Sequence, residues 1–123
     1  MPRTVLIVDD HAGFRRTVRR SLELDGWEVV GEAEDGATAL EAAERLHPTV
    51  VLLDIGLPDA SGFVVAAKLH AAHSAHAVIL TSTRDAADVA PLARGSWAAG
   101  FLAKSELSGP ALDALLAEVV PHG

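Results

Sequence analysis

Two continuous apolar runs that each end in carboxylates constrain the fold of this chain more than any other feature. Residues 5–8 are Val-Leu-Ile-Val, and Asp9 and Asp10 follow them directly. Residues 50–53 are Val-Val-Leu-Leu, and Asp54 follows them. Apolar runs without polar alternation are typical of strands that are buried on both faces of a parallel sheet. Two such strands would bring three carboxylates to one edge of a sheet, and a cluster of negative charge of this kind needs a cation.

Strand-like runs alternate with amphipathic helical segments along the chain, and this alternation is the signature of an α/β fold. The predicted strands are 4–9, 28–33, 50–55, 77–82 and 100–103, and the predicted helices lie near 12–25, 36–46, 61–72, 86–95 and 108–120. Gly26 follows the first helix, where a left-handed residue is expected. Five such units predict a flavodoxin-like, doubly wound parallel sheet of five strands in the order 2-1-3-4-5, with five helices and a ligand crevice at the carboxyl ends of strands 1 and 3.

Composition argues against several classes of function. The formal net charge of −7 disfavours nucleic-acid binding by this domain, because Lys and Arg side chains supply the affinity for phosphates. No apolar run approaches the roughly 20 residues that a membrane helix needs, and the first residues lack the features of a signal peptide. The chain has no cysteine, so it has neither disulfides nor thiolate sites. We therefore expect a cytoplasmic protein that does not contact a membrane.

The polar residues predicted at the crevice suit the chemistry of phosphate. Asp9, Asp10 and Asp54 are hard oxygen ligands, which favour Mg²⁺, with Mn²⁺ and Ca²⁺ as alternatives. Lys104 supplies a positive charge that can act on phosphate, and Thr81 supplies a hydroxyl donor. Carboxylate, metal, ammonium and hydroxyl together indicate phosphoryl transfer onto Asp54, with an aspartyl phosphate as the product.

At these residues the chain resembles the response-regulator receiver domains of two-component signalling, over essentially its whole length. The motifs that carry the resemblance are Val8-Asp9-Asp10-His11, Leu53-Asp54-Ile55-Gly56-Leu57-Pro58-Asp59 with Gly62, Thr81-Ser82, and Gly100-Phe101-Leu102-Ala103-Lys104. The Asp-Asp-His start and the stretch from Gly31 to Gly36 are most similar to receivers of NarL/LuxR-type regulators, which carry a C-terminal helix-turn-helix. The resemblance implies one receiver domain over residues 1–123, with no output domain within them.

The resemblance implies a role for each matching residue of the crevice. Asp54 would accept a phosphoryl group from the phosphohistidine of a sensor histidine kinase. Asp10, Asp54 and the backbone carbonyl of Gly56 would bind Mg²⁺, and Asp9 would act on the metal largely through water. Lys104 would neutralise the part of the phosphoryl group's negative charge that the metal does not offset.

A conformational switch is also implied. Thr81 would swing its hydroxyl onto the phosphoryl group, and Phe101 occupies the position of the family's aromatic switch. Their coupled motion would reshape the face formed by helix 4, strand 5 and helix 5, where phosphorylation is expected to favour a homodimer. From Thr81 to Lys104 the chain is about one residue longer than the family's usual spacing. Pro91 and Gly95 also fall in this stretch, so we expect a short, displaced or mobile fourth helix.

Other functions compete with this interpretation. A phosphatase of the haloacid dehalogenase type has its nucleophile after the first strand, whereas Asp54 follows the third. A flavin-binding domain needs a phosphate loop after strand 1, where Asp9 and Asp10 would repel a phosphate. We therefore predict a phosphoacceptor signalling domain rather than an enzyme. The sequence favours the receiver part of a transcriptional regulator over a stand-alone receiver, but leaves both open.

Two further groups of side chains have open interpretations. Four arginines of the first helix form a basic stripe that is either a solvated face or a docking surface for the kinase: Arg15, Arg16, Arg19 and Arg20. Three histidines recur every third residue near the end of the third helix, at positions 70, 73 and 76. No acidic residue accompanies them, so we do not expect a metal site there.

Overall fold

The computed structural model describes residues 3–75, 77–83 and 97–119. Five parallel strands form one sheet in the predicted order β2-β1-β3-β4-β5. The predicted helix at 86–95 lies outside the described residues, so the part of the chain in view has four α-helices rather than five. The elements in chain order are β1 Thr4–Val8, α1 Ala12–Leu24, β2 Glu28–Ala33, α2 Gly36–Leu46, β3 Val50–Asp54, α3 Gly62–Ala71, β4 Ala77–Ser82, β5 Gly100–Ala103 and α4 Gly109–Val119, with a short 3₁₀ turn at Lys104–Glu106.

The three central strands are buried on both faces, which explains their uninterrupted apolar sequences. Alternate residues of a strand point to opposite faces of the sheet, so each strand contributes to two separate cores. Leu6 and Leu53 belong to the core that includes residues of α2 and α3. Ile7 and Leu52 belong to the core that includes residues of α1 and α4. Burial of these aliphatic side chains is the main contribution to the stability of the sheet.

Parallel pairing brings the polar ends of the strands to the same edge. Val8 pairs with Leu53, so Asp9 and Asp54 follow at the same level of the sheet. Asp54 itself pairs with Thr81 on β4. β5 pairs in turn with β4 and ends one residue before Lys104. The crevice predicted from the strand order is therefore formed at the carboxyl edge.

The loop between β3 and α3 is held close against the end of β3. The Gly62 amide donates a hydrogen bond to the Ile55 carbonyl at 3.0 Å. A Cβ atom on Gly62 would lie 2.6 Å from the Ile55 Cα and 2.7 Å from the Asp54 carbonyl oxygen, closer than real Cβ contacts. The Asp59 carboxylate accepts hydrogen bonds from the amides of Gly36 and Ala37 at the start of α2. The backbone after Asp54 is thus fixed from two sides.

Gly62→Ala should destabilise the fold, because the new methyl group meets backbone atoms that cannot rotate away. We expect a loss of about 1–3 kcal/mol in the free energy of unfolding, measured by urea denaturation. Gly13→Ala is the matched control, since Gly13 lies in the first turn of α1 with no atom within 4 Å of the new Cβ. That change should be neutral or stabilising by up to about 1 kcal/mol. Equal effects of the two substitutions would contradict the proposed close approach.

Candidate functional site

A cavity of about 450 Å³ opens at the carboxyl edge of the sheet. Its described lining residues come from the ends of β3, β4 and β5, from the loop after β1 and from the start of α3: His11, Asp54, Ile55, Gly56, Phe63, Ser82, Thr83 and Lys104. Asp54 and Lys104, which lie 50 residues apart in sequence, share this cavity as the strand pattern predicted. The site therefore combines a buried carboxylate with an ammonium group in one open cavity.

Asp54 is a buried carboxylate with few groups to stabilise its charge. The residue is 7% exposed, its Oδ1 accepts a hydrogen bond from the Gly56 amide at 3.2 Å, and its Oδ2 lies 3.6 Å from Lys104 Nζ. Burial raises the pKa of Asp54 above its ordinary value of 3.8. The Gly56 hydrogen bond and the Lys104 charge oppose that rise, whereas Asp9 and Asp10 add to it. The ionised form of Asp54 therefore lacks sufficient positive charge around it.

Lys104 is closer to Asp9 than to Asp54. Its Nζ lies 2.5 Å from Asp9 Oδ2, and Asp9 is fully buried. Asp9 Oδ2 accepts no hydrogen bond with good geometry. Its contact with Lys104 is therefore an ion pair that is defined by the distance between the two atoms. The ring of Phe14 lies 4.5 Å from Lys104 Nζ and adds a cation–π contact. Phe14 lies on α1, far from Lys104 in sequence, and no sequence signal indicated this contact.

Asp10 and His11 form the outer part of the acidic cluster. The Nδ1 atom of His11 lies 3.1 Å from Asp9 Oδ1 and 3.1 Å from Asp10 Oδ1. One donor atom from each of these three residues lies within 4.8 Å of the other two, which is close enough for a shared metal ion. Carboxylate oxygens are the donors that Mg²⁺ prefers, and Asp9 and Asp10 supply two carboxylates to this cluster. The chemistry of the residues present thus fits a divalent cation.

Thr81 and Phe101 lie beside the cavity rather than in its described lining. Thr81 is 2% exposed, and its carbonyl accepts a hydrogen bond from the Ile55 amide at 3.1 Å. The hydroxyl-bearing residues that line the cavity are instead Ser82 and Thr83. Phe101 is partly buried against the core that includes α2 and α3. The switch roles of Thr81 and Phe101 stay predictions.

The basic stripe of α1 divides into two pairs. Arg15 and Arg19 both bind the Glu32 carboxylate on β2, at 2.9 and 2.8 Å. Arg16 and Arg20 instead line a separate surface cavity of about 350 Å³ together with Leu24, which is 83% exposed. Spacing along the helix could not separate the pairs, because the partner Glu32 lies on a different element. Arg16 and Arg20 are the arginines of α1 that remain available for docking.

Among the described residues, the histidines at the end of α3 make contacts between aromatic rings. The rings of His70 and Trp97 stack at 4.2 Å with an angle of 7° between their planes, while Trp97 is 60% exposed. The rings of His70 and His73 lie 6.3 Å apart. His76 lies outside the described residues. The sequence did not indicate the stack, because residues 70 and 97 belong to different elements.

Replacing Asp54 should stabilise the protein at neutral pH. A carboxyl group with a raised pKa binds its proton more tightly in the folded than in the unfolded state, so its ionisation costs stability. Asp54→Asn should therefore raise the free energy of unfolding at pH 7 by about 1 kcal/mol. The gain should vanish as the pH falls below the ordinary pKa of 3.8. Thermal unfolding between pH 3 and pH 8 measures it.

Asp59→Asn is a control that should change the free energy of unfolding in the opposite direction. Hydrogen bonds from the Gly36 and Ala37 amides lower the pKa of Asp59. Its charge therefore contributes stability above pH 3.8, which is lost as the pH falls through the lowered pKa. Asp59→Asn should destabilise the protein at pH 7 and have little effect in acid. A destabilising effect of Asp54→Asn at pH 7 would contradict the electrostatic picture of the cavity.

Comparison with known proteins places this chain in one family. The family model of the response regulator receiver domain matches residues 5–116. The nitrate/nitrite response regulator protein NarP of Escherichia coli is 42% identical over 118 residues, which cover 94% of this chain and 54% of NarP. A putative transcriptional regulator of Pseudomonas aeruginosa is 40% identical over 102 residues, covering 83% of this chain and 49% of that protein. The chain thus spans about half the length of the curated relatives it matches.

Comparison with solved structures also finds receiver domains. The signal receiver domain of the putative response regulator NarL from Mycobacterium tuberculosis has a TM-score of 0.81 and 38% identity, covering 94% of this chain and 97% of that one. Among the described residues, no helix has the length and apolar character needed to cross a membrane. The chain belongs to the response-regulator receiver domain family, and its similar relatives are transcriptional regulators of the NarL, NarP and BvgA type.

Proposed function

We propose that this receiver domain accepts a phosphoryl group on Asp54 from the phosphohistidine of a sensor histidine kinase. The observation that carries the proposal is the position of Asp54. It is a buried carboxylate on the wall of an open cavity, 3.6 Å from an ammonium group and on the same sheet edge as two further acids. We assign Lys104 to the phosphoryl oxygens, because a lysine acts on phosphate as a compact positive charge.

The transfer step is a nucleophilic substitution at phosphorus. A carboxylate oxygen of Asp54 forms the new P–O bond while the P–N bond of the phosphohistidine breaks, and the leaving imidazole takes up a proton. Burial raises the pKa of Asp54, which makes its oxygen more basic than that of a solvated carboxylate. The Gly56 amide holds Oδ1 in place and so leaves Oδ2 on the side of Lys104.

Asp10, Asp54 and the Gly56 carbonyl would hold Mg²⁺, with Asp9 acting on it largely through water. The metal would supply positive charge for the incoming phosphoryl oxygens. The charges of the site support this assignment, since Lys104 alone does not offset the burial of Asp54 beside Asp9 and Asp10. We therefore assign Mg²⁺ as the cofactor.

Transmission of the signal would use the strands next to Asp54. Thr81 pairs with Asp54 across β3 and β4, so a small shift of β4 would bring its hydroxyl to the phosphoryl group. Phe101 pairs with Leu80, the neighbour of Thr81, and could follow that shift. The affected face would include β5 and α4, the helix predicted as the fifth, and a homodimer would be favoured on phosphorylation. The predicted fourth helix of this face lies outside the described residues.

The parent protein would be a transcriptional response regulator of a two-component system. The chain spans about half of relatives that are transcriptional regulators, which supports an output domain elsewhere in a longer protein. We assign DNA binding to that domain, because the receiver carries a net charge of −7. The receiver would act as a cytoplasmic signalling domain that takes part in its own phosphorylation and dephosphorylation, rather than as an enzyme with a separate substrate.

Incubation with acetyl phosphate and Mg²⁺ should add a single phosphoryl group, stable in acid and labile in base, visible by intact mass spectrometry. Asp54→Asn should abolish the adduct because the amide cannot form an acyl phosphate. Chelation of divalent cations should prevent labelling of the unaltered protein. Glu44→Gln removes an exposed carboxylate on α2 and should be labelled normally. Persistence of the adduct in Asp54→Asn would refute the assignment.

Arg16 and Arg20 should matter for the kinase but not for a small phosphodonor. The double reversal Arg16→Glu with Arg20→Glu places negative charge around the cavity on α1. We expect phosphotransfer from the cognate kinase to slow by about tenfold or more at low salt, because charge reversal at an interface mainly affects association. Labelling by acetyl phosphate should be unchanged. Arg45→Glu, an exposed site on α2, is the control, and equal loss with both donors would rule out a docking role.

A further inference from the structure

We propose that Arg15 is a positioning residue of the phosphorylation site, which holds the peptide between Asp9 and Asp10 and so directs the Asp10 carboxylate. The inference rests on the proposed function and deepens it, because it assigns a role at this site to a side chain outside the described lining of the cavity. The contacts that carry it come from α1, from β2 and from the end of β1.

Arg15 binds a main-chain atom of the acidic edge as well as a side chain of the sheet. Its Nη1 donates a hydrogen bond to the Asp9 carbonyl at 2.5 Å, while its Nε donates to Glu32 Oε1 at 2.9 Å. The guanidinium group is planar and presents its donors in a rigid fork, so two acceptors fix it more firmly than one. The side chain of Arg15 is 16% exposed. Arg15 is thus held in one place between β2 and the end of β1.

The carbonyl that Arg15 binds belongs to the peptide that leads to Asp10. On its other side, Asp9 is fixed because its amide donates to the Ala33 carbonyl at 3.0 Å, which continues the pairing of β1 with β2. β1 ends at Val8, and Arg15 binds the next carbonyl along the chain. A peptide unit is planar, so an anchor on its oxygen also limits the direction of the residue that follows. The main-chain direction at Asp10 therefore depends on Arg15.

The side chain of Asp10 is not fixed by packing. Asp10 is exposed, and its Oδ1 lies 3.1 Å from the Nδ1 atom of His11, whose side chain is itself 71% exposed. By contrast, Asp9 is fully buried and pairs with Lys104. Asp10, which we assign to the cation, is thus the more loosely held of the two neighbouring acids. Its placement relies on the main chain.

Glu32 keeps this anchor charged. Burial raises the pKa of Glu32, but hydrogen bonds from Arg19 and Arg15 outweigh that effect and hold the pKa below its ordinary value of 4.5. Glu32 is therefore ionised at neutral pH. Arg19 binds the second oxygen of Glu32 at 2.8 Å, and its other ion pair is with Glu23 at 3.6 Å. Arg19 shares Glu32 with Arg15 and is the matched control.

An effect of charge alone would have the opposite consequence. Arg15 is a cation close to a site that is proposed to bind a cation. If it acted only through its charge, its removal would strengthen the binding of Mg²⁺. If it acts by position, its removal weakens the binding of Mg²⁺, because Asp10 is no longer directed to the ion. The sign of the change separates the two roles.

Phosphorylation by acetyl phosphate over a range of Mg²⁺ concentrations tests the proposal, with initial rates measured by intact mass. Arg15→Ala should raise the Mg²⁺ concentration that gives half of the maximal rate by about tenfold. The rate at saturating Mg²⁺ should change much less, because Asp54 and Lys104 are unaltered. Arg15→Lys keeps the charge but not the fork, so it should shift the half-saturating concentration in the same direction. This variant decides the outcome if Arg15→Ala does not fold.

Arg19→Ala removes the second ion pair of Glu32 and should leave the half-saturating Mg²⁺ concentration unchanged. An unchanged or lower value in the Arg15 variants would overturn the proposal, and so would an equal rise in Arg19→Ala. A lower rate at saturating Mg²⁺ with no shift in that concentration would show that Arg15 serves only the fold, and would also overturn it. Absence of labelling in the unaltered chain would refute the proposed function itself, which distinguishes that failure from the failure of Arg15 alone.

Discussion

The ammonium group of Lys104 is shared between two buried carboxylates, and the arrangement of the carboxyl edge depends on this sharing. Lys104 Nζ lies 2.5 Å from Asp9 and 3.6 Å from Asp54. At an effective dielectric constant of about 20, opposite charges about 4 Å apart attract by about 4 kcal/mol. One cation cannot neutralise two carboxylates, and Asp10 adds a third. The site is therefore short of positive charge when neither metal nor phosphoryl group is bound, which is the state that a divalent cation would relieve.

The rigid sheet is what keeps this unfavourable cluster in place. β1 and β3 are fixed by two apolar cores, and the backbone after Asp54 is fixed by the close approach of Gly62 and by Asp59 at the start of α2. Without this support from the sheet, the carboxylates of the cluster would move apart because they repel one another. Stability from the cores thus supports a site that is itself destabilising, as is common where function requires charge in a buried position.

Much of this structure could be predicted because its determinants are local in the sequence. Unbroken apolar runs marked the central strands to within one residue, and the strand order followed from alternation with helices. Gly26 has a φ of 90°, as expected after α1, but His47 also ends a helix with a left-handed conformation at 46°, and nothing in its residue type indicated it. The pairing of Arg15 and Arg19 with Glu32 depends on contacts between separate elements. The closer contact of Lys104 with Asp9 has the same origin, since distances within a cluster depend on side-chain packing and not on order along the chain.

Reduction of the phosphorylated chain with borohydride tests the central role of Asp54 most directly. Borohydride converts an aspartyl phosphate into homoserine, and tandem mass spectrometry of peptides identifies the position that has changed. After treatment with acetyl phosphate and Mg²⁺, we expect homoserine at position 54 and unmodified carboxylates at Asp9 and Asp10. Homoserine at either of those two positions, or none at position 54, would contradict the central role of Asp54.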